Sequence, residues 1–300
     1  MLLDRVLPVP GATASAALLV ALLGGCGTAP PPSKFPTART AVDRIHATQD
    51  CGIGVHANAK IDHFGKGGRF RGDLLAFAVW PDRLRMDLVS PFGVTLATLT
   101  SDGKTFTLYD LREKRFYYGP AEACNIARLT SVPLPAHVLV SLLRGEAPVL
   151  EHNPQDETIE WDSSGYYVVT IKGNNGSEER IKIAPHPADF NLPWEKQRLR
   201  VLDVEVKQQG FVLYHAELAD HKPAPMDKPL VDPDMLEPPI PTSGPMCTAE
   251  LPRRIRVRAG KDADVLFRYE SVTWNPPLPQ GTFTQPIPPG VEVQHVTCDR

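Results

Sequence analysis

Cysteine is the residue type whose positions in this chain point most directly to chemistry. Five cysteines are present, and four of them, Cys51, Cys124, Cys247 and Cys298, follow the N-terminal region. Four thiols in an oxidising compartment form disulfides and allow three pairings. We expect Cys51 to pair with Cys124 and Cys247 with Cys298, because the members of each pair share one half of the chain and flank its strand-forming segments. No CxxC motif or Cys/His spacing of a zinc site is present, so no metal centre is expected.

Residues that could serve catalysis are dispersed. The chain has no G-x-S-x-G elbow, P-loop or H-E-x-x-H motif, and its nine histidines are scattered. His56, His63 and His215 lie within or beside segments with strand-like alternation, and Glu178-Glu179 is expected in a polar turn. We therefore expect neither an enzyme nor a cofactor. An envelope hydrolase would need a nucleophile and a base brought together only by the fold.

The fifth cysteine, Cys26, ends a stretch typical of a processing signal. Gly11 to Leu23 is a run of small and apolar residues too short to span a bilayer. The following Leu23-Gly24-Gly25-Cys26 resembles a bacterial lipobox, although Asp4 offsets the positive charge of Arg5. We expect residues 1–25 to be a lipoprotein signal peptide and Cys26 to carry acyl chains such as palmitate; the alternative is an ordinary secretory signal with a chance cysteine. Gly27 in place of aspartate indicates the outer membrane.

The rest of the chain divides into a spacer and one large unit. Residues 26–39 are proline-rich and predict an extended tether, and residues 40–300 are long enough for a single domain with a proline-rich insertion at 222–247. The net charge is -3 and the pI about 6.3, so nothing global suggests nucleic acid. The 31 prolines favour a β-rich chain with ordered loops over a helical bundle.

Alternating polar and apolar residues predict strands on both sides of a tight turn, Ser90-Pro91-Phe92-Gly93, whose aromatic tip no strand neighbour covers. A capping box starting at Thr40 predicts a first helix, and Asn125–Leu129 and Pro135–Gly145 predict two more. The predicted strands cover residues 53–61, 70–80, 83–89, 94–100, 105–110, 114–118, 157–161, 166–172, 180–184, 199–207, 211–218, 254–258 and 265–274. The fold expected is mainly β, with short connections in a strongly curved antiparallel meander.

Two stretches carry a resemblance to a known family. Arg83-Leu84-Arg85-Met86-Asp87-Leu88-Val89-Ser90-Pro91-Phe92-Gly93, followed by Asp102-Gly103, resembles the strand and turn of the LolA/LolB lipoprotein-localisation family, especially its outer-membrane branch. Leu129-Thr130-Ser131-Val132-Pro133-Leu134-Pro135, leading into a helix that ends at Leu143-Arg144-Gly145, resembles a second part. The resemblance covers roughly residues 50 to 215. The sequence is longer than the family pattern, and it adds four cysteines and the 222–247 insertion.

The resemblance implies an incomplete antiparallel β-barrel with a helical lid. Its apolar interior would take acyl chains of lipids or lipoproteins from a periplasmic LolA-like carrier and pass them to outer-membrane lipids, as a chaperone in protein transport. Pro91, Phe92 and Gly93 would form the loop that acts on the membrane, with Phe92 in place of a protruding leucine. The protein would be lipid-anchored in the outer membrane of a Gram-negative envelope, facing the periplasm.

The expected ligand cavity consists of apolar residues from the strands and the helix: Trp80, Leu84, Met86, Leu88, Phe106, Leu139, Leu142 and Leu143. A closed, ordinary core explains the same alternation. Arg254, Arg256 and Arg258 are expected on one strand face, to meet headgroups or an acidic partner or simply to be solvated. The competing function is a non-enzymatic scaffold for an envelope complex on the same fold.

Overall fold

A computed structural model describes residues 27–65, 68–234, 237–260 and 263–298 of the chain. The predicted signal peptide and Cys26 lie outside the described residues. Fourteen strands form one sheet. They are β1 (Gly54–Gly65), β2 (Gly68–Val79), β3 (Arg83–Val89), β4 (Thr95–Ser101), β5 (Thr105–Asp110), β6 (Arg115–Pro120), β7 (Glu157–Asp162), β8 (Tyr166–Lys172), β9 (Ser177–Pro185), β10 (Leu199–Gln208), β11 (Phe211–Pro223), β12 (Glu250–Ala259), β13 (Ala263–Trp274) and β14 (Glu292–His295).

The sheet is open and mostly antiparallel. The strand order is β14-β6-β5-β4-β3-β2-β1-β13-β12-β11-β10-β9-β8-β7, so β14 and β7 are its two edge strands. The expected mainly β fold, an incomplete barrel with few helices, is confirmed. Each strand predicted from alternation is present. The structure also has one strand that alternation did not predict. This strand, β14, lies in the proline-rich tail and pairs in parallel with β6.

Three helices cover one face of the sheet, which we call the inner face. They are α1 (Ala38–Gln49), α2 (Ala123–Thr130) and α3 (Ala136–Leu143). Helix α1 contacts β7 and β10, α2 contacts β4 and β5, and α3 contacts β2 and β3. The predicted cap of α1 is corrected, because Thr37 is the N-cap and Thr40 is its partner in the capping box. None of the described helices has both the length and the apolar composition needed to cross a membrane.

Alanines make room for the helices on the inner face. Ala57 and Ala59 of β1 and Ala76 and Ala78 of β2 are all 3% exposed or less. A small side chain lets a helix approach the sheet closely, and long apolar side chains of the helix then fill the remaining space. Leu139, for example, has no exposed surface. The outward residues of β1 beside these alanines, His56, Asn58 and Lys60, are polar, whereas β2 presents Leu75 and Phe77 on its outward face.

The disulfide pairing expected from the sequence is wrong. Cys51 pairs with Cys247, with Cα atoms 5.0 Å apart, and Cys124 pairs with Cys298 at 5.9 Å. The strand order gives the reason. Since β1 pairs with β13, Cys51 just before β1 meets the segment leading into β12. Since β14 returns to β6, the C-terminal region meets the start of α2. Proximity along the chain gave no information about either contact.

Antiparallel alternation defines two ends of the sheet. The turn β3–β4, which contains Phe92, lies at the same end as β1–β2, β8–β9, β10–β11 and β12–β13, and we call this the Phe92 end. The turns β2–β3, β4–β5 and β7–β8 lie at the opposite end, which we call the Trp80 end after the exposed tryptophan at β2–β3. Apart from the four-residue β14, strands of six to thirteen residues separate the two ends.

The proline-rich segment before α1 lies against the sheet. The Thr28 amide donates to the carbonyl of Ser163 (2.7 Å), and the Trp194 amide donates to the Ser33 hydroxyl (3.0 Å). Phe35 is 5% exposed and packs edge-on against Tyr167. We call residues 27–36 the leader. Its first residues are held at the Trp80 end, and the extended tether stays a prediction. The domain boundaries stay predictions.

Candidate functional site

The turn that joins β3 to β4 presents one phenylalanine to solvent. The Gly93 amide donates to the Ser90 carbonyl (2.9 Å), and the Val94 amide donates to the Ser90 hydroxyl (3.1 Å). Gly93 has a φ of 79°, a conformation that suits glycine. The Phe92 side chain is 93% exposed. The backbone thus fixes the turn independently of this side chain, and the action of Pro91, Phe92 and Gly93 on a membrane stays a prediction.

Phe92 belongs to a larger group of exposed apolar residues at the same end of the sheet. Three hairpins contribute, and we call the group the apolar rim: Phe64, Phe70, Phe92, Val94, Phe211, Val212 and Leu213, which are 37 to 93% exposed. The β1–β2 and β3–β4 hairpins are neighbours, and β13 and β12 separate them from the β10–β11 hairpin. Several exposed apolar groups at one end of a sheet suggest an interaction surface. The sequence predicted a strand at residues 211–218. It did not predict that the first three residues of this strand belong to an exposed apolar surface. The signal was available, because three consecutive apolar residues break the alternation of a half-buried strand.

A groove beside α3 holds two adjoining cavities. Their volumes are about 700 and 790 Å³, within the range of about 300 to 1,000 Å³ typical of sites for small ligands. Both are lined by His46, Trp80, Pro81 and Glu146. The first extends along α3 past Ser141 and beneath residues 147–151. We call the two cavities the α3 groove and residues 146–151 the strap.

A buried ion pair forms the polar wall of this groove. The Arg144 guanidinium donates to both carboxylate oxygens of Glu146 (3.0 and 3.1 Å) and to the carbonyl of Gly52 (3.1 Å from Nε). Burial raises the pKa of Glu146, and the adjacent Arg144 charge works against that rise. Burial also lowers the pKa of His46, which keeps this imidazole neutral. Within this pair the two charges therefore compensate each other.

Glu179 lies where the strap meets the sheet. The prediction that Glu178-Glu179 lies in a polar turn is wrong, because both residues belong to β9 and Glu179 faces inward with no exposed surface. Its Oε2 accepts a hydrogen bond from the Leu150 amide (2.8 Å), and its Oε1 has no partner among the described residues. Burial raises the pKa of Glu179 to about 8. Tyr214, which lines the α3 groove, has its pKa raised by its own burial and then by the charge of Glu179.

The residues predicted to line a ligand cavity are placed mostly in the packed core. Six of them are 0 to 1% exposed: Leu84, Met86, Phe106, Leu139, Leu142 and Leu143. Leu88 is half-buried against the same core. Trp80 is 59% exposed and lines both cavities of the α3 groove. None of the buried six lines either cavity of the groove, and their contact with a ligand stays a prediction.

Asp203, His215 and Glu217 come together on the outer face in an arrangement that could bind a metal ion. The ring nitrogens of His215 lie 2.7 Å from an Asp203 oxygen and 3.2 Å from the Arg258 guanidinium, which also donates to Glu217 (2.8 Å). Lys182 lies 3.3 Å from Asp203. Two cations thus already contact the carboxylates a metal would use. The predicted arginine face is present, since Arg256 and Arg258 alternate with buried Ile255 and Val257.

The fold and these features define a mainly β protein with an open sheet, helices on its inner face, a groove beside one helix and an apolar rim at one end. Neither a family model nor a curated protein matches the chain. Among solved structures, the chain is similar to a domain provisionally assigned as an outer membrane lipoprotein-sorting protein from Vibrio parahaemolyticus, with 12% identity, a TM-score of 0.46 and coverage of 82% of this chain and 95% of that one.

Two other solved structures show a comparable likeness. A LolA superfamily protein from Nitrosomonas europaea has 11% identity and a TM-score of 0.48, with coverage of 84% of this chain and 99% of that one. A DUF1329 family protein from Desulfovibrio piger has 8% identity and a TM-score of 0.49, with coverage of 82% and 96%. Because these identities and TM-scores are low, the likenesses establish neither a family nor a function for the chain.

Proposed function

We propose that this protein is a LolA/LolB-like outer-membrane lipoprotein that binds acyl chains of lipids or lipoproteins and assists their insertion into the outer membrane. The observation that carries the proposal is Phe92, an apolar side chain 93% exposed on a turn fixed by its own backbone. A soluble surface gains nothing from such a side chain, whereas a bilayer takes it up favourably. The lipobox supports the envelope location, since it predicts an acyl anchor at Cys26.

The activity requires binding and release without chemistry. An acyl chain contributes about 0.8 kcal/mol for each methylene removed from water. The α3 groove offers apolar wall at Trp80, Val138 and Leu150 and hydrogen-bonding groups at Glu146. Transfer from a periplasmic carrier to this groove, and from the groove to outer-membrane lipids, then needs only a small difference in affinity at each step.

The length and position of the leader determine whether an anchored protein can place Phe92 on the membrane. With Thr28 bound to Ser163, Gly27 lies at the Trp80 end, and Phe92 lies at the other. A strand of seven residues such as β8 spans about 23 Å. Residues 27–36, when fully extended and free, reach about 33 Å. We infer that the leader detaches from the sheet when the anchor at Cys26 and the tip at Phe92 contact one bilayer.

The anchor is tested by labelling. Cells grown with an alkyne analogue of palmitate should incorporate the label into the wild-type chain and not into Cys26→Ser, because the Cys26 thiol is the predicted acceptor. The wild-type protein should fractionate with the outer membrane. Cys51→Ser is the control for specificity. It should keep the label, because the Cys51 sulfur lies in a disulfide and is not the predicted acceptor. Equal label in wild type and Cys26→Ser would refute the lipobox assignment.

The groove is tested by the lipids that copurify with the protein. The sample is the chain starting at Gly27, exported behind a cleavable signal peptide; this Gly27 chain contains every described residue and lacks the acyl anchor. Mass spectrometry should find bound lipid in the wild type and a large loss, roughly tenfold, in Ser141→Trp, because an indole of this size fills the space beside α3.

Ser271→Trp is the matched control, because Ser271 is exposed on β13 and lies outside the α3 groove. It should retain lipid at the wild-type level, and both variants should unfold at a temperature close to that of wild type. Absence of lipid from all three proteins, or equal lipid in all three, would contradict binding in this groove.

A further inference from the structure

A second groove lies on the outer face at the Phe92 end. Its volume is about 570 Å³, and its walls come from β1, β2, β12, β13 and the β3–β4 turn. Five cations and two carboxylates line it: Lys60, Arg69, Arg71, Arg256, Arg268, Asp62 and Asp73. We call it the arginine groove. Among these lining residues cations outnumber carboxylates by three, although the whole chain carries a net charge of -3.

The carboxylates compensate only part of this charge. Asp62 accepts from Arg69 (2.8 Å from Nε) and from Arg71 (3.0 Å), so two guanidinium groups share one carboxylate. Lys60 pairs with Asp73 and lies 3.8 Å from Glu270. Arg256 donates to both carboxylate oxygens of Asp264 (2.8 and 2.6 Å). Arg268 has no hydrogen-bond or ion-pair partner among the described residues. A negatively charged ligand entering this groove therefore finds donors that the protein itself leaves unused.

A second unpaired arginine adjoins the first. Arg254 of β12 lies opposite Arg268 of β13, and Arg268 lies opposite Lys60 of β1. Both arginines are exposed, and Arg254 likewise has no carboxylate partner among the described residues. Like charges placed directly across a sheet are destabilising. Because Lys60 is paired with Asp73, Arg254 and Arg268 are the two uncompensated cations of this row, and an anion would relieve their mutual repulsion.

The arginine groove adjoins the apolar rim. Pro91, the residue before Phe92, lines it, and so does Phe64, over whose ring the Arg69 guanidinium lies at 4.6 Å. In a bilayer the headgroup region on each side of the hydrocarbon core is about 5 to 8 Å thick. A Phe92 side chain in the acyl region would therefore bring the groove beside Pro91 to the level of the phosphates. Guanidinium groups match phosphate oxygens in geometry and charge.

We propose that the arginine groove binds the headgroup phosphate of an anionic phospholipid while the apolar rim enters the bilayer, with Arg254 and Arg268 supplying the uncompensated charge. This proposal rests on the proposed membrane function. It adds a selectivity, because the rim alone would not distinguish lipids by charge, whereas each cation near an anionic surface strengthens attachment.

The test is vesicle flotation with the Gly27 chain and two vesicle compositions, phosphatidylcholine alone and phosphatidylcholine mixed with phosphatidylglycerol. The wild type should bind the mixed vesicles more tightly. Arg254→Gln/Arg268→Gln should lose roughly 30-fold in affinity for mixed vesicles and little for neutral ones. Lys104→Gln/Lys196→Gln, which removes the same charge from exposed residues at the Trp80 end, should match the wild type.

The outcomes separate this proposal from the function on which it rests. If the wild type binds both vesicle types equally, or the arginine variant keeps the preference, the arginine groove has no headgroup role while membrane binding stands. If inorganic phosphate binds the wild type more tightly than the headgroup does, and the arginine variant loses this binding, the groove is a site for free phosphate and the proposal is wrong. Soluble dihexanoylphosphatidylglycerol provides a test without a bilayer. The arginine variant should bind it roughly 30-fold more weakly, and equal binding overturns the proposal whatever the vesicles show.

Discussion

Phe92→Glu is expected to abolish delivery of acylated cargo to membranes and to leave the protein folded. The wild-type phenyl ring contributes about 2 to 3 kcal/mol when it leaves water for an apolar phase, which is roughly 30- to 150-fold in binding. A carboxylate in its place resists entry into hydrocarbon. Folding is unaffected because the side chain is 93% exposed and the turn is fixed by hydrogen bonds of Ser90, Gly93 and Val94.

The measurement is transfer of a fluorescent acylated peptide from the Gly27 chain to vesicles. Phe92→Leu should retain most of the activity because it keeps an apolar tip. Leu75→Glu is the matched control, since Leu75 is an exposed apolar residue, 39% accessible, in the middle of β2. Delivery at the wild-type rate by Phe92→Glu, with its melting temperature unchanged, would remove Phe92 from the mechanism.

Strands and turns could be predicted because their determinants are local. Ser90-Pro91-Phe92-Gly93 lies between two alternating segments, and such a segment buries one face wherever the strand is placed in a sheet. The structure accordingly has the predicted strands on both sides of the turn. The fold class followed from repetition of this pattern. The same local reasoning located the helix that begins after Pro135 and ends before Gly145.

Contacts between distant segments could not be predicted in this way. The pairing of Cys51 with Cys247 depends on β1 lying beside β13, a consequence of the sheet order that no local pattern records. The burial of Glu179 depends on the strap crossing the inner face at Leu150. A charged residue next to Glu178 and Arg180 has the local composition of a solvated turn. The apolar rim similarly arises from three hairpins that only the antiparallel sheet brings to one end.

Glu179 gives the second large expected effect, a dependence of stability on pH. The carboxyl of an unfolded chain has a pKa of about 4.3, whereas burial raises that of folded Glu179 to about 8. Below the lower value both states hold the proton, and this group contributes no pH dependence. Between the two values the unfolded state binds fewer protons, so the free energy of unfolding falls as pH rises, by about 1.4 kcal/mol per pH unit. Above pH 8 the loss is complete.

The variant Glu179→Gln should remove this slope. Its amide oxygen can accept from the Leu150 amide as the carboxyl does, and it cannot ionise. Urea unfolding from pH 5 to pH 9 should therefore show a wild type that loses roughly 4 to 5 kcal/mol relative to the variant across the interval. The difference between the two proteins isolates Glu179 from other buried groups such as His221, whose pKa burial lowers to about 4.

Glu178→Gln is the control, because Glu178 is the exposed neighbour on the same strand and its substitution should leave the wild-type slope unchanged. Parallel pH profiles for wild type and Glu179→Gln would contradict a buried carboxyl at this position.

The structural effect of Glu179 ionisation should also be local. The Leu150 amide donates to Glu179, and the strap that carries Leu150 covers the α3 groove. Ionisation of Glu179 destabilises the packing around it, so the groove should open where the strap meets β9. The protection factor of the Leu150 amide against hydrogen exchange should therefore fall above pH 8 in the wild type and stay constant in Glu179→Gln.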